Sequence, residues 1–194
     1  MNSFKSGDFQ KAIREFNLAL KKGVRDFGKH EIFTAIGNSY ERLELFEQAV
    51  IAHKKSIKIK PDYYKAWANL GVTYRRKGDF KDAVSCYKKC LELNPNYAEV
   101  YTNLGAIYIF KNKPKKACEN LYRAKELDPS IQITYGNLAL ALAMLGKFDE
   151  AEAELKQAII LGNKEWKSIK DRINYLREFP YLNIDPNSFN IFEN

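Results

Sequence analysis

Residues 64–96 read YKAWANLGVTYRRKGDFKDAVSCYKKCLELNPN, and this stretch decides the fold. Its first half predicts a helix, because residues of one face recur at three- and four-residue steps at Trp67, Leu70, Gly71 and Tyr74. Its second half predicts another helix, with an inner face of Phe80, Ala83, Tyr87 and Cys90. The small side chains of Gly71 and Ala83 indicate that the two helices approach each other closely.

Turn-forming residues separate the two predicted helices and end the second one. Gly78 suits the left-handed conformation at the end of the first helix, and Asp79 suits the N-cap of the second. Asn94-Pro95 ends the second helix, because proline restricts the residue before it and cannot donate to the helical ladder. The stretch is therefore predicted to form one helix-turn-helix unit.

This unit recurs along the chain with a period of about 34 residues. Four sets of positions keep the same step: Gly37, Gly71, Gly105 and Ala139; Tyr40, Tyr74, Tyr108 and Leu142; Ala49, Ala83, Ala117 and Ala151; and Pro61, Pro95, Pro129 and Asn163. A fixed period of this length is typical of stacked helical repeats, in which each copy covers the apolar face of its neighbour. The period predicts complete copies at residues 30–63, 64–97, 98–131 and 132–163.

The pattern Trp67-x2-Leu70-Gly71-x2-Tyr74, followed by Ala83, Tyr87 and Pro95, resembles the tetratricopeptide repeat (TPR) family over roughly residues 4–162. The resemblance implies an all-α fold, a right-handed superhelical α-solenoid of TPR helix-turn-helix repeats with a C-terminal capping helix. It also implies a non-enzymatic module that binds an extended peptide or partner segment in a concave groove lined by the first helices. Such motifs are specific for the fold and say little about the particular partner.

Both ends of the chain depart from the repeat. Residues 1–29 are interpreted as a partial first copy, mainly its second helix, followed by a loop around residues 23–29. Either the natural chain begins upstream, which we favour slightly, or another chain covers that copy. Residues 164–178 are predicted to form a capping helix that presents one apolar face to the last repeat. The aromatic residues 179–194 are expected to fold back along this helix or to lie in a groove of this chain or of a neighbour.

The composition narrows the class of protein. The chain has 194 residues, of which 45% are hydrophobic and 29% charged, and this balance suits a soluble folded protein. No apolar run has the length of a signal peptide or a membrane span, so a cytoplasmic location is expected. The three cysteines, Cys86, Cys90 and Cys118, fit small buried thiols in a reducing compartment. The net charge of +8 favours acidic partners.

Sequence motifs for catalysis are missing. The chain has no Gly-rich phosphate loop, no HExxH and no paired CxxC, and its two histidines occupy a helix start (His30) and a packing position (His53). We therefore expect no catalytic residue, no metal, no cofactor and no small-molecule substrate. The basic residues are clustered but carry no interleaved aromatic side chains, so nucleic-acid binding is not expected either.

Asparagine side chains form the most specific candidate binding site. Asn69, Asn103 and Asn137 keep the period of the repeat, and each lies two positions before the small residue of a first helix. An amide offers both a donor and an acceptor, so it can pair with a peptide backbone regardless of the peptide's sequence. The column is similar to the asparagine ladder in the repeat region of O-linked N-acetylglucosamine transferase. The first complete copy has Ala35 in this slot and Asn38 one turn later. The alternative is that asparagine is merely tolerated on a solvated face.

The predicted groove combines amide, basic and apolar side chains. The full set expected to contact a ligand comprises Asn38, Asn69, Asn103, Asn137, Thr34, Lys65, Arg75, Arg76, Thr102, Ile109, Phe110, Ile133 and Leu140. This mixture predicts a protein or peptide partner with an acidic stretch beside apolar side chains. The two-carboxylate clamp of chaperone-tail-binding repeats is disfavoured, because Glu99 places a negative charge where the carboxylates would lie.

Two other functions stay open on the sequence. The chain could be a self-associating scaffold, a homodimer built on the partial N-terminal copy or on the aromatic tail. It could also be the substrate-recruiting fragment of a larger enzyme.

Overall fold

The computed structural model describes residues 8–23 and 26–179. Within these ranges the regular elements are α-helices: α1 (Phe9–Lys21), α2 (Asp26–Arg42), α3 (Phe46–Ile59), α4 (Tyr64–Lys77), α5 (Phe80–Leu93), α6 (Ala98–Phe110), α7 (Pro114–Leu127), α8 (Gln132–Ala143), α9 (Phe148–Ile160) and α10 (Trp166–Glu178). The helices belong to two compact units, of which the first ends at Pro95 and the second begins at Asn96. Unit 1 contains α1–α5 and unit 2 contains α6–α10.

Unit 1 is built from helices that pack in chain order, each against the next. In addition, α2 contacts α4, so the first helices of two successive copies are direct neighbours. The core contains small side chains such as Ala49, Ala66 and Ala83, and it also contains the fully buried Tyr87. Alanine at these positions allows the helix axes to come close, while the aromatic ring fills the remaining space.

Unit 2 repeats this arrangement and adds a closing helix. Helices α6 to α9 pack in chain order, α6 also contacts α8, and α10 packs against both α8 and α9. Ile169 and Ile173 of α10 are buried in the apolar core of the unit, and Trp166 and Leu176 pack at its edge. The prediction of an all-α fold of helix-turn-helix repeats, ended by a helix with one apolar face, is confirmed.

Glycine is required where the two helices of a copy touch. In unit 1, a Cβ atom at Gly71 would overlap the ring of Tyr87, and one at Gly37 would overlap the ring of His53. In unit 2, a Cβ atom at Gly105 would overlap Leu121. The same contact of a glycine with a large side chain therefore occurs in these three helix pairs, with a different large residue in each.

The turn inside each copy has a left-handed residue at a fixed position. Gly78 and Gly146 have φ angles of 91° and 76°, as the sequence predicts for glycine at a helix end. Glu44 lies one repeat period before Gly78, and Asn112 lies one period before Gly146. These two residues adopt the same conformation, with φ angles of 59° and 51°. Asparagine adopts this conformation more readily than most residues, whereas glutamate does not, so only the repeat period marks the turn at Glu44.

Two local predictions need correction. Asp79 occupies the N-cap position of α5, but its side chain makes no capping hydrogen bond and pairs with Lys77 at 3.1 Å. Helix α2 begins at Asp26, so most of the loop expected around residues 23–29 is helical. The expected partial copy within residues 1–29 is described from residue 8, as α1, and Asp8 caps this helix by accepting from the Lys11 amide at 2.9 Å. Residues 1–7 and 180–194, including nearly all of the aromatic tail, lie outside the described residues.

Candidate ligand-binding faces

Four asparagine amides lie at the surface of the first helices. Asn38 is on α2 and Asn69 on α4 in unit 1, whereas Asn103 is on α6 and Asn137 on α8 in unit 2. All four are half-buried. Within residues 8–23 and 26–179, none of the four side chains has a hydrogen-bond partner in the protein. Each amide therefore has an unused donor and acceptor that a ligand could satisfy.

Two asparagines outside this set are bonded locally. Asn163 donates to the Gln132 carbonyl at 3.3 Å and accepts from the Glu165 amide at 2.8 Å. Asn120 donates to the Lys116 carbonyl at 2.8 Å. Asn163 thus joins α8 to the start of α10, in the position that proline occupies in the earlier copies.

Four of the expected contact residues are buried inside their own unit. Thr34 lies 2.8 Å from Ser56, and Thr102 lies 2.7 Å from Thr134, oxygen to oxygen. Ile109 and Leu140 are both 2% exposed and belong to the apolar core of unit 2. These side chains support the helix packing and present little surface to a ligand, so the binding proposal rests on the remaining residues.

The basic residues of unit 1 differ in how far their charge is already balanced. Arg76 donates to the Glu41 carbonyl at 2.9 Å and pairs with the carboxylates of Glu41 and Glu44 at 3.3 and 3.6 Å. Arg75 is half-buried beside the Tyr87 hydroxyl, on which its charge acts. Lys65 is exposed and has no ion-pair partner in the described part of the chain. Among the basic residues predicted to contact a ligand, Lys65 therefore has the charge that is most accessible to a partner.

Glu41 connects two first helices of unit 1, and its role was not expected from the sequence. Besides Arg76, its carboxylate accepts a hydrogen bond from the Thr73 hydroxyl at 3.0 Å, so it ties α2 to α4. The salt bridge joins positions 35 residues apart, one more than the repeat period, as stacking of adjacent first helices allows.

The corresponding face of unit 2 is more apolar. Ile133, at the start of α8, is 56% exposed, and Phe110, at the end of α6, is half-buried. The two units also differ in charge, because residues 1–95 contain 19 Lys and Arg against 11 Asp and Glu, whereas residues 96–194 contain 13 of each. The whole net charge of +8 therefore lies in unit 1.

The buried titratable residues have the character of core residues. Burial lowers the pKa of His53 to about 4, and the ring is 0% exposed with neither nitrogen hydrogen-bonded in the described structure. Burial raises the pKa of the Cys86 thiol to about 11, so it is protonated at neutral pH and a poor nucleophile. These states oppose a Cys–His nucleophile pair, which needs a thiolate beside an accessible imidazole.

The described residues contain neither a metal-binding cluster nor a membrane helix. Within them, no group of three or more His, Cys, Asp or Glu side chains is arranged to hold a metal ion. No helix in that part of the chain has the length and apolar character needed to cross a membrane.

Comparisons with known proteins agree with the repeat. Family models described as tetratricopeptide repeat match residues 30–63, 64–97, 86–119 and 133–164, together more than half of the chain. A solved structure titled "Crystal structure of MamA" is 26% identical, with a TM-score of 0.69, over 86% of this chain and 95% of that one. A second, "Crystal structure of MamA protein", is also 26% identical, with a TM-score of 0.67, over 86% and 89%. No curated protein matches the sequence.

Proposed function

Because the chain belongs to the tetratricopeptide repeat family, we propose that it is a non-enzymatic adaptor that binds extended segments of partner proteins on its first helices. The observation that carries the proposal is the set of four surface amides without intramolecular partners in the described residues, at Asn38, Asn69, Asn103 and Asn137. In unit 1, Asn38 and Asn69 lie on two helices in direct contact, and in unit 2 Asn103 and Asn137 do the same.

Paired amides on neighbouring helices suit an extended backbone. A peptide strand exposes donors and acceptors at regular intervals, and an asparagine can serve either of them. This recognition is independent of the peptide's side chains, which is the property suggested by the similarity to the asparagine ladder of O-linked N-acetylglucosamine transferase. The amides therefore provide the general grip, and neighbouring side chains provide the specificity.

The hydrogen bonds of the asparagine amides are too weak to account for micromolar binding by themselves. A net hydrogen bond contributes about 0.5–1.5 kcal/mol, so two amides with one bond each supply about 1–3 kcal/mol. Micromolar binding needs about 8 kcal/mol. The remainder must come from charged and apolar contacts. Unit 1 offers Lys65 within a positively charged unit, which suits an acidic segment, and unit 2 offers Ile133 and Phe110, which suit apolar side chains.

A binding experiment with two asparagine variants tests the proposal. A linear peptide is selected from a displayed decapeptide library on the whole chain, and its affinity is measured by calorimetry. The double variant Asn69→Ala/Asn103→Ala removes one amide from each unit, so it should bind at least about fivefold more weakly whichever unit holds the peptide, because the lost amide leaves a peptide group unpaired at about 1–3 kcal/mol. The matched control is Asn120→Ala, whose amide bonds within α7. Unchanged affinity in the double variant would exclude the amide contacts.

Self-association is a second candidate, favoured by one feature of unit 1. Leu18 of α1 is 52% exposed, and α1 packs against α2 as half of a repeat. A second copy of the chain could cover this helix. Light scattering of the whole chain and of its Leu18→Glu variant separates the two candidates, because a homodimer that buries Leu18 should fall to the mass of one protomer in the variant. An adaptor keeps the mass of one protomer in both forms.

A further inference from the structure

One face of α3 carries a row of exposed lysines around an exposed isoleucine. Ile51, Lys54, Lys55 and Lys58 follow at three- and four-residue steps, so their side chains share one side of the helix. Ile51, in the middle of α3, is 56% exposed. This row lies on a second helix, whereas the amides of the proposed peptide site lie on first helices.

The lysine charges of this row are not balanced by the described part of the protein. The one acidic residue of α3, Glu47, is engaged by Lys77 at 3.6 Å. The ammonium groups of Lys54 and Lys55 lie over the rings of Tyr74 and Phe33, at 6.0 and 5.6 Å from the ring centres. Across the described residues, Lys54, Lys55 and Lys58 have no carboxylate partner.

Helix α5 extends the basic surface. On this helix Lys88 lies one repeat period after Lys54. Lys88 is exposed and has no carboxylate partner in the part of the chain that is described. Lys89 pairs with Glu92 at 2.8 Å. We call Ile51, Lys54, Lys55, Lys58 and Lys88 the outer lysine face.

We propose that the outer lysine face docks unit 1 onto a lipid bilayer rich in anionic phospholipids. Lysines near an anionic bilayer gain attraction from its negative surface potential. Their long apolar stems lie along the surface while the ammonium groups reach the headgroups. Ile51, beside the lysines of the row, would insert among the upper parts of the acyl chains, as apolar residues of interfacial helices do.

The composition of the face favours lipid over nucleic acid. Arginine, with its planar fork of donors, is the residue best suited to nucleic-acid phosphates, and the outer lysine face contains none. The nearby rings of Phe33 and Tyr74 are half-buried beneath lysine ammonium groups, so they are not open for base stacking. A protruding aliphatic side chain such as Ile51 gains nothing from a phosphodiester backbone but gains from a bilayer.

Vesicle co-sedimentation with the whole chain tests this docking. Vesicles of phosphatidylcholine with added phosphatidylserine should bind the protein, and pure phosphatidylcholine vesicles should not. Each lysine near such a surface contributes about fivefold, so Lys54→Gln/Lys58→Gln should lower the partition constant by about twentyfold. Ile51→Ser should lower it by a smaller factor. Binding should also weaken steeply with salt, because the Debye length shortens from about 10 Å at 0.1 M to about 3 Å at 1 M.

A charge-matched control makes the result specific to this face. Lys115→Gln/Lys116→Gln removes the same charge from exposed positions on α7 of unit 2 and should leave vesicle binding within about twofold. Circular dichroism melting checks that every variant is folded. An equal loss in both double variants would overturn the proposal in favour of net charge alone. Lack of binding to phosphatidylserine vesicles would also overturn the proposal. So would a result in which Lys54→Gln/Lys58→Gln abolishes a gel shift with single-stranded RNA but leaves vesicle binding unchanged.

Discussion

His53 is a single residue whose burial makes stability depend on pH. Its two ring nitrogens lack partners in the described structure, so a proton on the buried ring would be an uncompensated charge. The unfolded chain binds this proton near pH 6.5, whereas the folded chain binds it near pH 4. The stability contributed by the neutral ring is therefore complete above about pH 6.5 and is lost as the pH falls through this window towards 4.

We expect this loss to be roughly 3 kcal/mol, from a pKa shift of about 2.5 units. Urea unfolding at about pH 7.5 and about pH 4.5 measures it, with His53→Leu as the comparison. Leucine is the matched replacement, because Leu121 fills the equivalent position against Gly105. The variant should lose less stability than the wild type on acidification. An equal loss in the two proteins would show that His53 is not the titrating group.

Gly71 is the second residue with a sharp prediction. An added Cβ would overlap the Tyr87 ring, which is 0% exposed and cannot move outwards without disturbing the contact of α4 with α5. Gly71→Ala should therefore destabilise the protein by about 1–3 kcal/mol, although alanine is the better helix former. Thermal unfolding checks the result against Ser85→Ala, an exposed position on α5 where about 0.5 kcal/mol or less is expected. A stabilised Gly71→Ala variant would contradict the close approach.

Helix α10 is the element that closes unit 2. It buries Ile173, at 1% exposure, against the core formed by α8 and α9. Ile173→Ala should destabilise the protein by about 2–4 kcal/mol, because a cavity remains where the side chain packed. The exposed neighbour Asn174 provides the control, and Asn174→Ala should have an effect near zero. Hydrogen exchange would show faster exchange in α10 for the isoleucine variant first, and unchanged protection there would mean that α10 is not held by this contact.

The helices could be predicted well from the sequence, because the same pattern of packing positions occurs in four copies. Positions one period apart share a structural role, so Gly71 could be recognised from its equivalents as a position of close approach, whereas its contact with Tyr87 appears only in the structure. The left-handed turn at Glu44 escaped prediction because its residue type does not favour that conformation. The start of α2 at Asp26 was missed because the spacing before the first complete copy does not follow the period.

The candidate site was harder to predict than the elements. Spacing placed the asparagines, Thr34 and Thr102 on first helices, but it did not say which side chains the neighbouring helix would cover. Thr102 is buried because Thr134 of α8 meets it, and Arg76 is neutralised because Glu41 of α2 reaches it. The burial of Thr102 and the ion pair of Arg76 both depend on contacts between neighbouring copies. A helical-wheel diagram of one helix does not show such contacts.

At the scale of the whole molecule, charge and amides have separate locations. The entire surplus of positive charge lies in unit 1, and the outer lysine face carries part of it on second helices. The four half-buried asparagine amides without partners in the described residues lie on first helices in both units. A protein with this distribution can bind an extended partner on one set of helices and an anionic surface on another, so the two proposals can fail independently.

The most direct test of the adaptor proposal follows the asparagine side chains themselves. The selected peptide is titrated into the isotope-labelled chain while the side-chain amide signals are recorded by nuclear magnetic resonance. The adaptor proposal predicts large chemical-shift changes for the side-chain NH2 groups of Asn38 and Asn69, or of Asn103 and Asn137, whereas the signals of Asn120 and Asn163 should not change. Saturable binding of the peptide with all four of the former signals unmoved would contradict it.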